Sequence, residues 1–359
     1  MEFFKNVLGI VSEADLLTTG FNVTRPNDPV DALFGDEQTD NLVAKWNYIA
    51  NEYQIPQMAQ FHAFDTEAQK SIRMPIDERS VEKGLIKVKR NTSELLYELK
   101  GKGVTAEAEM YDYVMNDINA LTDEVVTRTK VAKNELLATG KVTIKENNLD
   151  LTVDYGVPSD NLALELDFGK GASSDIPSQL QAIVDQAADL GVQLTGMVLA
   201  RSVLSKLRQN AAIQKAVNGV SAEGVLVTNA ALLSYLDAEF GISRVITNDL
   251  SYSAPWTMGS DGRPVTHQHR YFPNDRVSFF GTGNGMALGV GLWGMPPEEQ
   301  LAEMGKDAGP TANHPYVYVH QWTEDDPAVA WTKASGLFMP VLFNPNSLYV
   351  ASVEETPGT

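Results

Sequence analysis

The longest uninterrupted helical signal in the chain, Thr105 to Thr139, constrains everything around it. Apolar or aromatic side chains recur at Tyr111, Val114, Ile118, Leu121, Val125, Ala132 and Leu136. Steps of three, four and seven residues keep them on one side of a 3.6-residue period. No proline or glycine interrupts the run, Thr105 suits an N-cap and Gly140 suits the C′ position. Glu107, Glu109, Asp112 and Asp117 crowd the first half, while Arg128, Lys130 and Lys133 crowd the end. That is the order the helix dipole favours. At about 1.5 Å per residue the rod is on the order of 50 Å long, well above an ordinary helix. One apolar stripe predicts a girder laid across a sheet, not a helix buried all round.

The segments before the girder have no core of their own. Residues 1–55 hold short apolar patches (Phe3, Phe4, Leu8, Leu16, Leu17) in polar, proline-bearing text, and only 40–53 reads as helical, through Leu42, Trp46 and Ile49. Such a segment must lie on the rest of the chain or on a neighbouring copy. Residues 58–99 read as two extended arms around a polar turn, PIDERSVEKG, carrying Pro75 and Gly84. Ile86 and Val88 alternate with Lys87 and Lys89, and Arg79, Lys83 and Arg90 make the stretch basic. Arms of about ten residues reach roughly 30 Å. A two-stranded ribbon cannot stand alone in water, so it must dock on the body or on a partner.

Beyond the girder, Val142, Ile144, Leu149, Leu151 and Val153 alternate around Asn147–Asn148, which predicts a hairpin. Residues 159–304 then alternate helices (176–190, 202–210, 212–217, 229–239) with strands (193–200, 242–247, 276–280, 286–290). This is a mixed α/β lobe of about 145 residues. The tail returns to β: 316–323, then two runs broken by Pro340 and by Asn344–Pro345. Tail strands and the 141–155 hairpin are expected to share one sheet beneath the helix, with the α/β lobe as an insertion.

Little in the sequence carries chemistry. The run Gly281, Gly283, Gly285 follows a strand but has the wrong spacing for a dinucleotide fingerprint and opens no helix. His267 and His269 lie in loop-like text with no third ligand at diagnostic spacing, and His314 and His320 are isolated. Glu324, Asp325 and Asp326 precede a proline and read as a solvated turn. With no cysteine there is no disulfide, thiolate site or cysteine nucleophile. No cofactor or metal is expected. A formal charge of −19 opposes any sequence-independent grip on nucleic acid. No run of 18 apolar residues spans a membrane, and the N-terminus lacks a basic region before a clean apolar core, so no signal peptide is expected. Two readings stay open: an enzyme with a dispersed site in the α/β lobe, or a protein whose work is lateral assembly.

The passages AFDTEAQKSIR…GLIKVKRNTSELL, LLATGKVTI, DLTVDYGVP, RYFPNDRVSFFGTGNGMALG…LWGMPPEE and WTEDDPAVAWTKASGLFMPVLFNPNSLYVASV appear in that order. Together, over roughly residues 40 to 353, they resemble the major capsid protein of tailed phages, in its lambda-type capsid E family with the Hong Kong ninety-seven-like shell fold. The resemblance implies an α+β capsid fold: an N-arm over 1–57, an extended E-loop over 58–100, a peripheral domain over 101–160 and 311–359 with its spine helix at 105–139, and an α/β axial domain over 161–310. It implies an E-loop that touches the adjacent subunit through Arg73, Pro75, Arg79, Lys83, Lys87, Lys89 and Arg90, and a spine helix whose core face is Tyr111, Val114, Ile118, Leu121, Val125 and Leu136. The implied function is structural, not enzymatic: hexamers and pentamers closing an icosahedral head shell, of expected triangulation number seven, around double-stranded DNA bound without sequence specificity. The alternative is a cellular encapsulin-type compartment. Because only about 55 residues precede the E-loop, a separate scaffolding protein is expected, with a portal and a decoration protein, no isopeptide cross-link, no membrane, and assembly in the host cytoplasm.

Overall fold

Five sheets and one long helix account for the architecture of the described residues. The computed structural model describes residues 28–48, 58, 77–92, 104–169, 174–219, 225–258, 264–281, 287–303, 311–325 and 328–354, and the side chains of 104–116 lie outside that description. In chain order the elements are β1 (Phe34–Gln38), β2 (Val43–Tyr48), β3 (Asp77–Glu82), β4 (Gly84–Thr92), α1 (Val104–Thr139), β5 (Lys141–Glu146), β6 (Leu149–Asp154), α2 (Ser159–Leu162), β7 (Leu164–Asp167), α3 (Ile176–Asp189), β8 (Gly196–Leu199), α4 (Arg201–Gln209), α5 (Ala211–Asn218) and α6 (Asn229–Phe240). There follow β9 (Arg244–Thr247), β10 (Ser251–Met258), β11 (Pro264–Arg270), β12 (Arg276–Phe280), β13 (Gly289–Gly294), α7 (Pro297–Glu303), β14 (Thr311–His314), β15 (Val317–Asp325), β16 (Ala328–Leu342) and β17 (Leu348–Glu354).

Helix α1 is the predicted girder, and Gly140, at φ +70°, closes it with its N–H on the Leu136 carbonyl at 2.8 Å. The single-stripe expectation fails over its C-terminal part. From Val125 to Ala138 no side chain is exposed. The cause is that two sheets pack on it from different sides.

The first sheet runs β1-β13-β16-β15-β14, with β4 also on β16. Strand β16 is its axle: Leu337 and Phe338 pair with β13 on one edge and with Leu85 and Gly84 on the other. Ala334, Gly336 and Phe338 face α1, where a Cβ on Gly336 would press the Val125 side chain. Pro340 does not break this strand. It pairs with Gly291, and its carbonyl accepts a 2.6 Å bond from the buried Tyr155 hydroxyl. A proline is tolerated there because β4 ends opposite Phe338, so no donor is needed on that edge.

The second sheet runs β7-β17-β12-β8-β9. Strict alternation makes both its faces core. Met197, Leu199, Val277, Phe279, Tyr349 and Ala351 pack under helices α3 to α6. Val198, Phe280, Leu348 and Val350 face α1, where the Ser278 hydroxyl donates to the Leu137 carbonyl at 2.6 Å.

Five further expectations are corrected. Residues 43–48, read as helical, form β2 and pair with β3 along Val43↔Glu82 to Tyr48↔Asp77; partner pairing overrode a weak helical period. The stretch 77–82, read as a turn, is therefore a strand; of the two arms expected in the 58–99 ribbon, 84–92 is β4 and pairs with β16, and 61–74 lies outside the described residues. The tail divides between both sheets: β15 and β16 join the first, β17 the second, and β5–β6 form a sheet of their own with Asn147 and Asn148 at positive φ in the turn. The lobe read as an insertion is likewise not self-contained, since β13 leaves it for the first sheet. Finally His267 and His269 sit on strand β11, not in a loop.

Candidate functional site

The basic residues singled out between 73 and 90 are placed individually rather than as one patch. Arg73 and Pro75 lie outside the described residues. Arg79, on β3, sends Nη1 to the Asp154 carbonyl at 3.5 Å, across Gly156. Gly156, at φ +74°, takes the left-handed backbone that glycine favours, and the Arg79 guanidinium lies where a Cβ would project.

Lys83 fills the gap between β3 and β4 and is buried. Its Nζ donates to the carbonyls of Thr39 at 2.8 Å and Trp293 at 2.9 Å, and burial pulls its ammonium below the ordinary lysine range. Arg90 faces α1 and pairs with Asp117 at 3.1 Å and with Glu124. Lys87 and Lys89 point to the other side of the sheet. Lys87 meets Glu298 at 2.6 Å, and Lys89 sits 4.0 Å over the Trp331 ring. Lys333 also reaches Glu298, at 3.0 Å. Burial works against the Glu298 carboxylate, yet hydrogen bonds from Lys87 and Lys333 outweigh it and hold the group at about 2. Beside this cluster Tyr318, His320 and Trp322 stack along β15, and Trp322 stacks on its cross-strand partner Trp331. The sheet thus carries an aromatic ladder under a lysine row.

Of the residues expected on the helix core face, Ile118, Leu121, Val125 and Leu136 are fully buried, while the side chains of Tyr111 and Val114 lie outside the description. Sequence reasoning missed what the polar residues of α1 do. Lys133, read as a dipole partner, is buried, with Nζ on Asp36 at 2.9 Å, Asp31 at 3.0 Å and the Phe34 carbonyl at 3.3 Å. The next residue, Asn134, donates to Asp28 at 2.8 Å, and Asn248 donates both to Asp28, at 3.0 Å, and to Asn134, at 2.9 Å. Burial raises the Asp28 carboxyl above its ordinary value, against the lowering bonds from Val30 N–H and Asn134. This polar knot ties three parts together: the segment before β1, the girder and the second sheet. Its sequence signal was the Asp-rich spacing Asp28, Asp31, Asp36 opposite a helix with lysines on its buried arc.

No such convergence forms a reaction centre among the described residues, and none of their His, Asp and Glu groups cluster as a metal site. The network is built to hold segments together. The sequence model of the family described as phage major capsid protein E matches residues 48–353. The chain belongs to that family. Membership gives this capsid chain a shell-forming structural role as part of a virion, and makes its own copies its partners.

Among solved structures, a phage-related protein from Bordetella bronchiseptica RB50 is 10% identical, with 95% of this chain and 97% of that one covered, at a TM-score of 0.51. That likeness shows the fold. The mature capsid of bacteriophage PhiM1 is 7% identical over 93% of this chain and 89% of that one, at 0.47. The holo-SrpI encapsulin of Synechococcus elongatus PCC 7942 is 11% identical over 91% and 89%, at 0.41. No curated protein matches the chain.

Proposed function

We propose that the chain assembles into hexamers and pentamers that close an icosahedral head around double-stranded DNA. The family match over residues 48–353 carries this reading. Two features of the chain fit it. Residues 49–76 connect the paired strands β2 and β3, next to the buried Lys83, and are this proposal's candidate for an arm laid over an adjacent subunit. Because 77–82 is a strand, the proposal assigns the E-loop tip, expected at 75–84, to that connection. The charge of −19 suits a container, because a wall that repels phosphate lets packed DNA slide.

Assembly rests on many modest contacts per copy, so stability comes from multivalency and not from one strong site. A separate scaffolding protein, a portal and a decoration protein complete the proposed partner set, with assembly in the host cytoplasm and triangulation number seven. The domain division expected from the resemblance is part of this proposal, with β13 counted to the peripheral domain and β17 to the axial domain, as are the contacts of Arg73, Pro75, Lys87 and Lys89 with a neighbouring copy. The test is removal of residues 53–72 with a short Gly-Ser bridge, which leaves β2, β3 and Lys83 intact. The variant is expected to fold and form no closed shells by negative-stain microscopy, while the unaltered chain, co-expressed with its scaffold, does form them. Normal-sized shells from the variant overturn the arm assignment.

A further inference from the structure

The chain crosses between the first sheet and the β2–β3 ribbon twice. It goes out through 39–42, after β1, and comes back through residue 83, before β4. Among the described residues β2 and β3 pair with no other strand, so the direction of the ribbon is decided at these two crossings. Just beyond them Ala44 and Val81 bury small apolar side chains in the core and set how deep the ribbon sits. Neither offers a polar atom that would also set its direction.

Lys83 ties both crossings to one fixed point. Its backbone N–H donates to the Leu42 carbonyl at 3.1 Å and closes the base of the ribbon. Its Nζ donates to the carbonyls of Thr39, on the outgoing crossing, at 2.8 Å and of Trp293 at 2.9 Å. The Thr39 N–H meets that same Trp293 carbonyl at 2.9 Å. Trp293 is well anchored. It closes the register of β1 with β13, and its buried ring stacks on Tyr316 at 5.4 Å and stands edge-on to Phe338 at 4.9 Å.

The acceptors of this ammonium are backbone atoms, so its bonds fix the path of the chain and not the rotamer of another side chain. Burying it costs free energy that a methionine of similar length would not. Gly294 leaves it room, since a Cβ there would stand 3.1 Å from Nζ. Burial works against the charged form, and the charge of Asp40, on the outgoing crossing, favours it. We infer that Lys83 is a positioning residue that sets the direction in which the β2–β3 ribbon leaves the body, and that closed shells form only when that direction is held. The inference rests on the shell-forming reading and on the arm assigned to 49–76, and adds what aims that arm.

The chain has no cysteine, so spin labels at Glu78→Cys on β3 and Ala188→Cys on α3 are unique. Pulsed electron resonance then reads the distance between ribbon and body with and without Lys83→Met. The distribution is expected to broaden about twofold in Lys83→Met, as a released hinge would. Closed shells, formed with the scaffold and without the labels, should fall about tenfold, because every copy carries the misdirected arm. Hydrogen exchange at the β8 and β12 amides should stay parental, which separates misdirection from unfolding. A distribution as narrow as the parent's overturns the inference, and so does a broadened one with parental shell yield. If Lys83→Met does not fold, the unaltered chain decides: its Thr39 and Lys83 amides are expected to exchange about tenfold more slowly than the β2–β3 amides beyond Ala44 and Val81, and equal rates overturn the inference. An unaltered chain that forms no shells with its scaffold refutes the shell reading, while the label distances still test what Lys83 does to the ribbon.

Discussion

Lys133 offers the sharpest test of how the segment before the girder is held. Its side chain is 2% exposed, and the three hydrogens of its ammonium meet three acceptors: Asp31, Asp36 and the Phe34 carbonyl. Lys133→Met keeps the length and bulk of the side chain, so the cavity contribution is small and the loss is electrostatic. Removing one partner of a buried pair costs about 3–5 kcal/mol. The two aspartates it abandons are about a third exposed, at 33% and 31%, so water recovers part of their solvation and the lower limit applies. The expected cost is therefore about 3 kcal/mol. A chain with two sheets and 359 residues will not unfold in one step, so a global melting curve is the wrong reading. Hydrogen exchange at the β1 amides that pair with β13 reports the local opening instead. About 3 kcal/mol corresponds to roughly 150-fold faster exchange there. The amides of β12, on the far side of α1, should be unchanged. Acceleration of β1 by less than about threefold would refute the idea that this ammonium anchors the segment. Asp31→Asn and Asp36→Asn added to Lys133→Met should restore much of the protection, because they remove the orphaned charges.

Two other outcomes follow from the same packing. Gly289→Ala puts a Cβ onto the Val341 carbonyl and the Phe34 ring, backbone and core that cannot give way, so it should cost about 3 kcal/mol or more and lower soluble yield. Gly35→Ala, one residue along the same strand pair with open space at its Cβ, should stay within about 0.5 kcal/mol of the parent by hydrogen exchange at the β1 amides. Glu298 is held at about 2 in the fold against its ordinary 4.5, so its contribution is present above about pH 4.5 and lost as pH falls toward 2. Tryptophan-fluorescence melts at pH 5, 3.5 and 2.5 should fall less steeply for Glu298→Gln than for the parent, and parallel slopes would show that the Lys87–Glu298–Lys333 cluster adds nothing.

Local regularities were readable where one partner surface decides the pattern. The helices expected at 176–190, 212–217 and 229–239 lie where the sequence places them, and the structure adds their caps: Asp175, Asn210 and Thr228 accept from backbone N–H groups two or three residues on. The alternation in Arg276–Phe280 gave a strand because both its faces are core. The failures share a cause. Val43–Tyr48 shows Leu42, Trp46 and Ile49 nearby at helical spacing, yet β3 supplies a hydrogen-bonding edge that outweighs a period seen over only three residues. PIDERSVEKG looks like a turn by composition, but Asp77–Glu82 within it is a strand whose partners lie roughly thirty to forty positions away. Pro340 reads as a breaker until the neighbouring strand is known to stop two residues earlier.

The charged residues of α1 carry the deeper lesson. Lys130 and Lys133 satisfy the helix-dipole rule on paper, and that local explanation seemed sufficient. A lysine near a helix end contributes at most about 1 kcal/mol when solvated there. Buried and triply bonded, the same residue fixes the position of a segment a hundred residues away in sequence. Polarity marks a solvated face only when nothing of opposite charge comes from elsewhere in the chain, and Asp28, Asp31 and Asp36 do come. Along Val125–Ala138, with a sheet on each side and no side chain exposed, the buried polar residues Thr129, Lys133 and Asn134 are each hydrogen-bonded. The lysines of α1 therefore record the folded path of the N-terminal segment, and that information becomes legible once the second sheet is known to exist.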